Sequence, residues 1–342
     1  MDPQQLAERL TEFLKRTHNA RAVRIEGMRL LTGGASRQTW SFDAVIEDTD
    51  GQSRTVPLVL RSDPRRSSEL MARGVEYRLL EAAVEAGVPV PRVHLPGDDS
   101  LGMPFFLMER VDGETIPRRL LRDAEYAEAR KVLATQLAAA LARTHGIPID
   151  QPGLNELPAP PPDTSPAEHE IDRHERIYRA ITPDPHPVFE LAFRWLRAHA
   201  PEGDERRLVH GDFRIGNVIF GPEGARAILD WELAHVGDPM EDLGWICVRS
   251  WRFGNDDLPV GGLGAREEFW RAYEAGGGCP VDPERVRFWE AFGNLRWGII
   301  CVGQAQTGLE GAAGPAGAQM ELAAIGRRIA ETEWELLELM EG

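Results

Sequence analysis

Residues 208–232, "LVHGDFRIGNVIFGPEGARAILDWE", alternate apolar strand and turn, and three positions break the pattern: Asp212, Asn217 and Asp230. "LVHGD" reads as a short strand ending in Gly and Asp, and "NVIF" with "ARAILD" reads as a small hairpin around "GPEG". Asp212 and Asn217 then stand at the two ends of one tight loop, and the returning hairpin strand brings Asp230 to the same edge. Carboxylate and amide oxygens of this kind suit Mg2+, which takes few protein ligands and completes its shell with water and phosphates. A carboxylate left outside that shell is free to orient a hydroxyl nucleophile and accept its proton. Kinase-type phosphoryl transfer needs this division of labour. Any one of the three is an ordinary turn residue or strand-end cap, so the information lies in all three occurring in this order.

The rest of the chain fits an enzyme of this kind. Its 342 residues are too many for one small core and fit two lobes. A net charge of -16 with no basic tract argues against nucleic acid, whose phosphates are held by clustered Lys and Arg. No uninterrupted apolar window of about 18 residues exists to span a membrane. The N-terminus is a polar amphipathic helix and lacks the apolar segment of a secretory leader. Cys247, Cys279 and Cys301 are widely spaced and odd in number, which favours reduced thiols and a cytoplasmic location, and gives no support to structural zinc.

Between residues 23 and 62, short apolar runs bounded by Gly, Asp and Pro predict an antiparallel meander. A helix follows over 65–86, then two more strands in "VPVPRVHLPGDD" and "GMPFFLMERVDGE". The first unit is thus a sheet of about five strands carrying one helix. After Gly113 the pattern turns helical, at 118–145, 168–181, 186–199, 264–275, 282–305 and 317–340, with a Pro-rich connector at 151–166. The fold class is α+β, with a boundary near residue 109: an N-terminal lobe over 1–109 and a helical lobe over 110–342.

"HGDFRIGN" followed by "LDWE" resembles the H-G-D-x-x-x-x-N and D-x-E signature of aminoglycoside phosphotransferase-like, or choline-kinase-like, small-molecule kinases. "DWELAHVGDPMEDLGW" is similar in particular to the branch fused to, or encoded beside, acyl-CoA dehydrogenases. The resemblance extends over nearly the whole chain. It implies a protein-kinase-like bilobal fold with ATP between the lobes, a catalytic loop at 208–217 and a metal-binding segment at 228–232. By position, Asp212 resembles the catalytic base, and Asn217 and Asp230 resemble the Mg2+ ligands. His210 resembles the histidine that holds the loop, and Asp238 and Asp242 resemble acids that brace it.

Such a site also needs a cation for the ATP phosphates and a carboxylate to hold the cation. The usual residue is a lysine on the third strand, but the only lysines are Lys15 and Lys131, both in predicted helices far from that strand. "PLVLRSDP" offers Arg61 instead, and Glu76 in "ARGVEYRLL" has the order and separation of the partner carboxylate. Arginine keeps its charge and grips phosphate with a fork, but its bulk and reach differ from those of lysine. Gly33, Gly34 and Ser36 in "LTGGASRQTW" lie where a phosphate-covering loop belongs. By resemblance, Met108 would lie beside the adenine, with the Glu109 carbonyl and the Val111 amide facing it.

The expected activity is transfer of a phosphoryl group from ATP to an alcohol group of a small molecule. For the acceptor, "GWICVRSWRFG" contributes Trp245, Arg249 and Arg252, aromatic and cationic groups suited to an anionic ligand such as a CoA thioester. The same residues also suit a helix with one core face and one solvated face. Because the acid surplus is dispersed along the chain, and because the resemblance carried by "DWELAHVGDP" points towards metabolic relatives, a hydroxyl-bearing metabolite, with a hydroxyacyl-CoA as the example, is favoured over an aminoglycoside antibiotic. A nucleotide-binding pseudokinase with a regulatory role is the alternative raised by the missing lysine. A homodimer stays open.

Overall fold

The computed structural model describes residues 2–31, 38–63, 71–182, 184–310 and 316–341. Helix α1 (Pro3–Thr17) leads into a meander of β1 (Ala22–Leu31), β2 (Gln38–Glu47) and β3 (Ser53–Ser62). Helix α2 (Arg73–Glu85), β4 (Val93–Pro96) and β5 (Phe105–Glu109) complete the first lobe. The five strands form one antiparallel sheet in the order β1-β2-β3-β5-β4.

The period-two alternation of strands decides what each face does. Leu58 and Leu60 of β3 and Leu107 of β5 point to one side, where Leu6, Leu10, Phe13 and Leu14 of α1 cover them in a separate core. Val59 of β3 with Phe106 and Met108 of β5 point to the other side and join the core that runs into the helical part. Arg61, two residues beyond Val59, therefore shares that second face. Residue periodicity, with no long-range information, already aims this cation at the gap between the lobes.

The second lobe comprises α3 (Pro117–Arg122), α4 (Ala127–His145), α5 (Pro166–Ile181), α6 (Pro187–Ala198), β6 (Arg207–Val209), β7 (Val218–Gly221), β8 (Gly224–Ile228), β9 (His235–Gly237), α7 (Met240–Trp245), α8 (Arg266–Ala275), α9 (Pro283–Leu309), α10 (Ala316–Ile325) and α11 (Arg328–Glu341). The hairpin expected in the opening stretch is β7–β8, with Val218 opposite Ile228. The strand before the loop, β6, pairs with β9 and not with the hairpin. The inter-lobe connection is tied to the hairpin where Glu114 and Phe220 exchange backbone hydrogen bonds of 2.9 and 3.0 Å.

Two helices expected as single runs are divided. The run 118–145 breaks at Asp123, whose extended backbone ends α3, and Arg130 closes the break by donating to the Leu120 and Asp123 carbonyls at 2.7 and 2.8 Å. The run 317–340 breaks at Gly326, a weak helix former, giving α10 and α11. Helix α2 begins at Arg73, and residues 64–70 of the predicted 65–86 helix lie outside the described residues. Among the described residues no helix is long and apolar enough to cross a membrane.

Helix α7, which carries residues close to the catalytic loop, lies against α9 at Gly244. A β-carbon there would come within 2.6 Å of the Glu290 nitrogen and the Trp289 carbonyl carbon, both backbone atoms with little room to move. Gly244→Ala should therefore lower unfolding stability by about 1–3 kcal/mol in urea titrations, and an unchanged midpoint and slope would show that the two helices separate freely.

Candidate active site

The catalytic-loop segment is held by a carboxylate from outside it. Asp242 of α7 is fully buried and accepts the His210 N–H at 2.7 Å and the Gly211 N–H at 3.0 Å, one on each oxygen. His145 at the end of α4 lies 3.1 Å from the same carboxylate, and Tyr273 of α8 lies 2.8 Å from the other nitrogen of His145. Burial opposes the charge of Asp242, but His145, His210 and these donors outweigh it and lower its pKa. Gly211 has φ +78°, and a β-carbon there would sit 2.3 Å from the Leu233 carbonyl oxygen, so this position admits only glycine.

His210 is buried with its protonation pattern set by neighbours. Its Nδ1 accepts the Asp212 N–H at 3.2 Å, which leaves Nε2 to donate to the Leu229 carbonyl at 3.1 Å. Burial lowers its pKa, consistent with a neutral ring whose work is to join the loop to the strand end beside Asp230.

Three donors converge on the Asp212 carboxylate. Arg214 Nε and Trp245 Nε1 reach Oδ1 at 3.0 and 2.8 Å, and Asn217 Nδ2 reaches Oδ2 at 2.6 Å while also bonding the Asp212 carbonyl at 2.9 Å. A carboxylate offers about four acceptor positions, so one position on Oδ2 stays open. Asn217 uses its nitrogen in this way, which leaves its amide oxygen for another partner.

The hairpin brings Asn217 and Asp230 together: the Asn217 carbonyl accepts the Leu229 N–H at 2.8 Å. Asp230 adopts φ +61°, a left-handed conformation that a non-glycine residue holds at some cost, and its side chain is 48% exposed at the cleft. The carboxylate of Asp230 at the cleft and the amide oxygen of the buried Asn217 are of the hard character that fits Mg2+, which draws the rest of its shell from water and phosphate. Among the described residues no group of three or more His, Cys, Asp or Glu side chains is placed to hold a metal without such help.

Arg61 fills the place where a lysine is expected. Its Nε lies 3.1 Å from Glu76 Oε1, an ion pair off the hydrogen-bonding direction, and its other nitrogens lie 3.4 Å from Asp230 and 3.9 Å from Glu232. Burial alone would lower its pKa, but Glu76, Asp230 and Glu232 together raise it. Glu76 is buried and shared: Arg73, also buried, pairs with its second oxygen and reaches Asp63 at 2.5 Å. Arg73 escaped the sequence reading, although it stands one helical turn before Glu76 and so on the same face. Arg214 and His145 escaped it too; the first had a signal in its position two residues after Asp212, the second none.

Arg61, Met108, Glu109, Val111, Gly113, Gly216, Leu229 and Asp230 line one cleft of about 740 Å3 between the sheet and the hairpin. Val111 borders this cleft, and its N–H makes no hydrogen bond among the described residues. Gly33, Gly34 and Ser36 lie outside the described residues. The three residues read as acceptor contacts are placed differently from one another. Trp245 is buried and braces Asp212; Arg252 is buried and donates to the Cys247 carbonyl and Glu290; Arg249 is exposed and paired with Asp256 and Glu335.

Five antiparallel strands over a helical lobe, with a His-Gly-Asp loop at the cleft between them, define a small-molecule kinase of protein-kinase-like fold. The model of the phosphotransferase enzyme family matches residues 27–289, and the chain belongs to that family. Acyl-CoA dehydrogenase family member 10 of Mus musculus is 31% identical over 293 residues, 81% of this chain and 27% of that protein. The chain thus spans about a quarter of that relative. A presumptive aminoglycoside phosphotransferase from Ralstonia eutropha JMP134 is 25% identical, covers 98% of both chains and superposes with a TM-score of 0.74. Spectinomycin phosphotransferase APH(9)-Ia, solved with ADP and spectinomycin, shares the fold, with a TM-score of 0.62, 14% identity and 98% coverage of each chain.

Behind the loop, His235 pairs with Glu241 at 3.1 Å, and Glu241 in turn with Arg296 at 3.2 Å. Burial works against the His235 charge, but Glu241, with help from Glu170 and the Leu233 carbonyl, pushes its pKa to about 9. Since this lies above the 6.5 of an unfolded histidine, the contribution to stability is complete below pH 6.5 and is lost as pH rises through 9. Urea unfolding should show stability falling by on the order of 1–3 kcal/mol across that window, with much of the slope removed in His235→Gln; an equal slope in both proteins would exclude His235 as its source.

Proposed function

We propose that the protein is an ATP- and Mg2+-dependent kinase that phosphorylates a hydroxyl group of a small metabolite, with Asp212 as the base. The observation that carries this reading is Arg61: it stands between Glu76 and Asp230 at the cleft, so the lysine's task has an occupant. The open position on Asp212 Oδ2 orients the acceptor hydroxyl and takes its proton as the oxygen attacks the γ-phosphorus, while the bond from that phosphorus to the β–γ bridging oxygen breaks and ADP leaves. Arg214 and Trp245 fix the carboxylate's direction, and Asn217 fixes its other oxygen. Asn217 Oδ1 and the Asp230 carboxylate would hold Mg2+, which supplies neutralisation of charge on the β- and γ-phosphates when bound. Arg61 turns from Asp230 towards the phosphates, while Glu76, itself held by Arg73, keeps it at the cleft. Met108, the Glu109 carbonyl and the Val111 amide receive adenine, as the cleft lining allows. Catalysis on this scheme is positioning and charge compensation.

For the acceptor we favour a hydroxyacyl thioester of coenzyme A over an aminoglycoside. Its support is the relation to a protein named for acyl-CoA dehydrogenation and a helical lobe with arginines at its surface. The first test is thermal: ATP with Mg2+ should raise Tm, and the metal-dependent part should vanish in Asp230→Asn. ATP binding with no transfer across hydroxyacyl-CoAs, aminoglycosides and amino alcohols would instead support a regulatory nucleotide-binding protein.

Once an acceptor is found, Asp212→Ala should lower kcat by about 10²- to 10⁴-fold while leaving nucleotide affinity largely intact. Undiminished turnover in that variant would remove Asp212 from its role.

A further inference from the structure

A second cleft, of about 490 Å3, opens on the helical side, and four arginines border it: Arg118 and Arg122 of α3, Arg249, and Arg328 of α11. Two of these are neutralised, Arg249 by Asp256 at 2.9 Å and Glu335 at 3.1 Å, and Arg328 by Glu331 at 3.2 Å. Arg118 and Arg122 stand one helical turn apart on the same face of α3 and form no ion pair among the described residues. In a chain of net charge -16, two adjacent uncompensated guanidinium groups at the mouth of a cleft mark a local demand for an anion.

Two further observations point the same way. Trp334 of α11 borders the cleft with 61% of its surface exposed, an unusual place for the largest apolar side chain. Phe253 in the cleft wall holds φ +51°, a conformation that a bulky residue adopts only under constraint and that clusters at ligand sites. Helix α11 also lies beyond residues 27–289, so the wall that carries Trp334 and Arg328 is not part of the family match.

The cleft shares a turn with the groups that support Asp212. Arg249 and Ser250 line it, while the next residue, Trp251, stacks under the Arg214 guanidinium at 4.7 Å, and Arg214 Nε is 3.0 Å from Asp212. One short turn thus has the cleft on one side and the support of the base on the other.

We propose that this cleft binds a phosphate or diphosphate group that the acceptor carries far from its reacting hydroxyl, with Trp334 offering its ring to an adjoining base. The inference rests on the kinase reading above and deepens it: the acceptor is an alcohol on a long nucleotide-type handle, the chemistry of a coenzyme A thioester. Guanidinium forks suit phosphate oxygens, and an exposed indole suits a heterocycle.

Calorimetric titration with coenzyme A tests this, with the inter-lobe cleft first saturated with AMP-PNP and Mg2+. Coenzyme A should bind, and pantetheine, which lacks the phosphates, should not. Arg118→Gln with Arg122→Gln should weaken coenzyme A by about 10- to 100-fold with AMP-PNP affinity unchanged, which also verifies folding. Raising the salt concentration should weaken wild type more than the double variant. Trp334→Ala should weaken coenzyme A but not pyrophosphate. No uptake of coenzyme A by the AMP-PNP-bound protein, or equal affinity in the double variant, would overturn the proposal and leave the kinase reading standing. Failure to bind AMP-PNP, with coenzyme A binding still sensitive to Arg118 and Arg122, would sink the kinase reading and keep the cleft.

Discussion

The buried carboxylate of Asp242 is the constraint from which the site is built. Its two oxygens hold consecutive backbone N–H groups, His210 and Gly211, in a region with no solvent. Hydrogen bonds to a charged acceptor are each worth about 1.5–3 kcal/mol, and the loss of a buried charge partner costs about 3–5 kcal/mol. The loop therefore cannot drift without exposing a charge to an apolar interior. Everything the loop presents, from the Asp212 carboxylate to the Asn217 amide, inherits its position from this contact. Asp238 is comparable in kind: Arg285 and Trp289 reach it at 2.5 and 2.6 Å, and it fixes the start of α7 through the Met240 N–H.

A second level of order comes from shared partners. Asn217 serves Asp212 with its nitrogen while its own backbone carbonyl bonds Leu229, so one residue links Asp212 to the neighbouring hairpin edge. His210 accepts a hydrogen bond from the Asp212 backbone N–H and donates one to the Leu229 carbonyl, linking the loop to the segment that ends in Asp230. The His210 link would not survive exchange for a residue with only one type of hydrogen-bonding group. The site residues are thus positioned jointly, and the effects of altering neighbours in this set should not add.

How much of this was legible in the sequence depended on distance along the chain. Asp212, Asn217 and Asp230 lie within one strand, loop and hairpin, and local pattern placed them on one edge, where the structure also has them. The five-stranded sheet and the helical remainder followed from periodicity. The division of 118–145 did not, because it rests on Arg130 reaching back to two carbonyls. Trp245 was open to two readings, an acceptor contact or the core face of a helix, and the bond from its indole N–H to Asp212 became visible only when α7 packed under the loop. Arg73 was hidden for a similar reason: its meaning comes from Asp63 and Arg61 on another element.

The substitution of arginine for lysine has a physical consequence that organises the upper half of the cleft. A lysine needs one carboxylate to hold it; Arg61 faces three, and a second arginine, Arg73, binds the first of them. Because a guanidinium is charged at any accessible pH and spreads its donors over a plane, Arg61 faces Glu76 with Nε and Asp230 and Glu232 with its outer nitrogens. Arg73 holds the second oxygen of Glu76 from the same helix. The paired arginines share Glu76, one on each of its oxygens, so the guanidinium at the cleft faces a carboxylate that is itself held from behind.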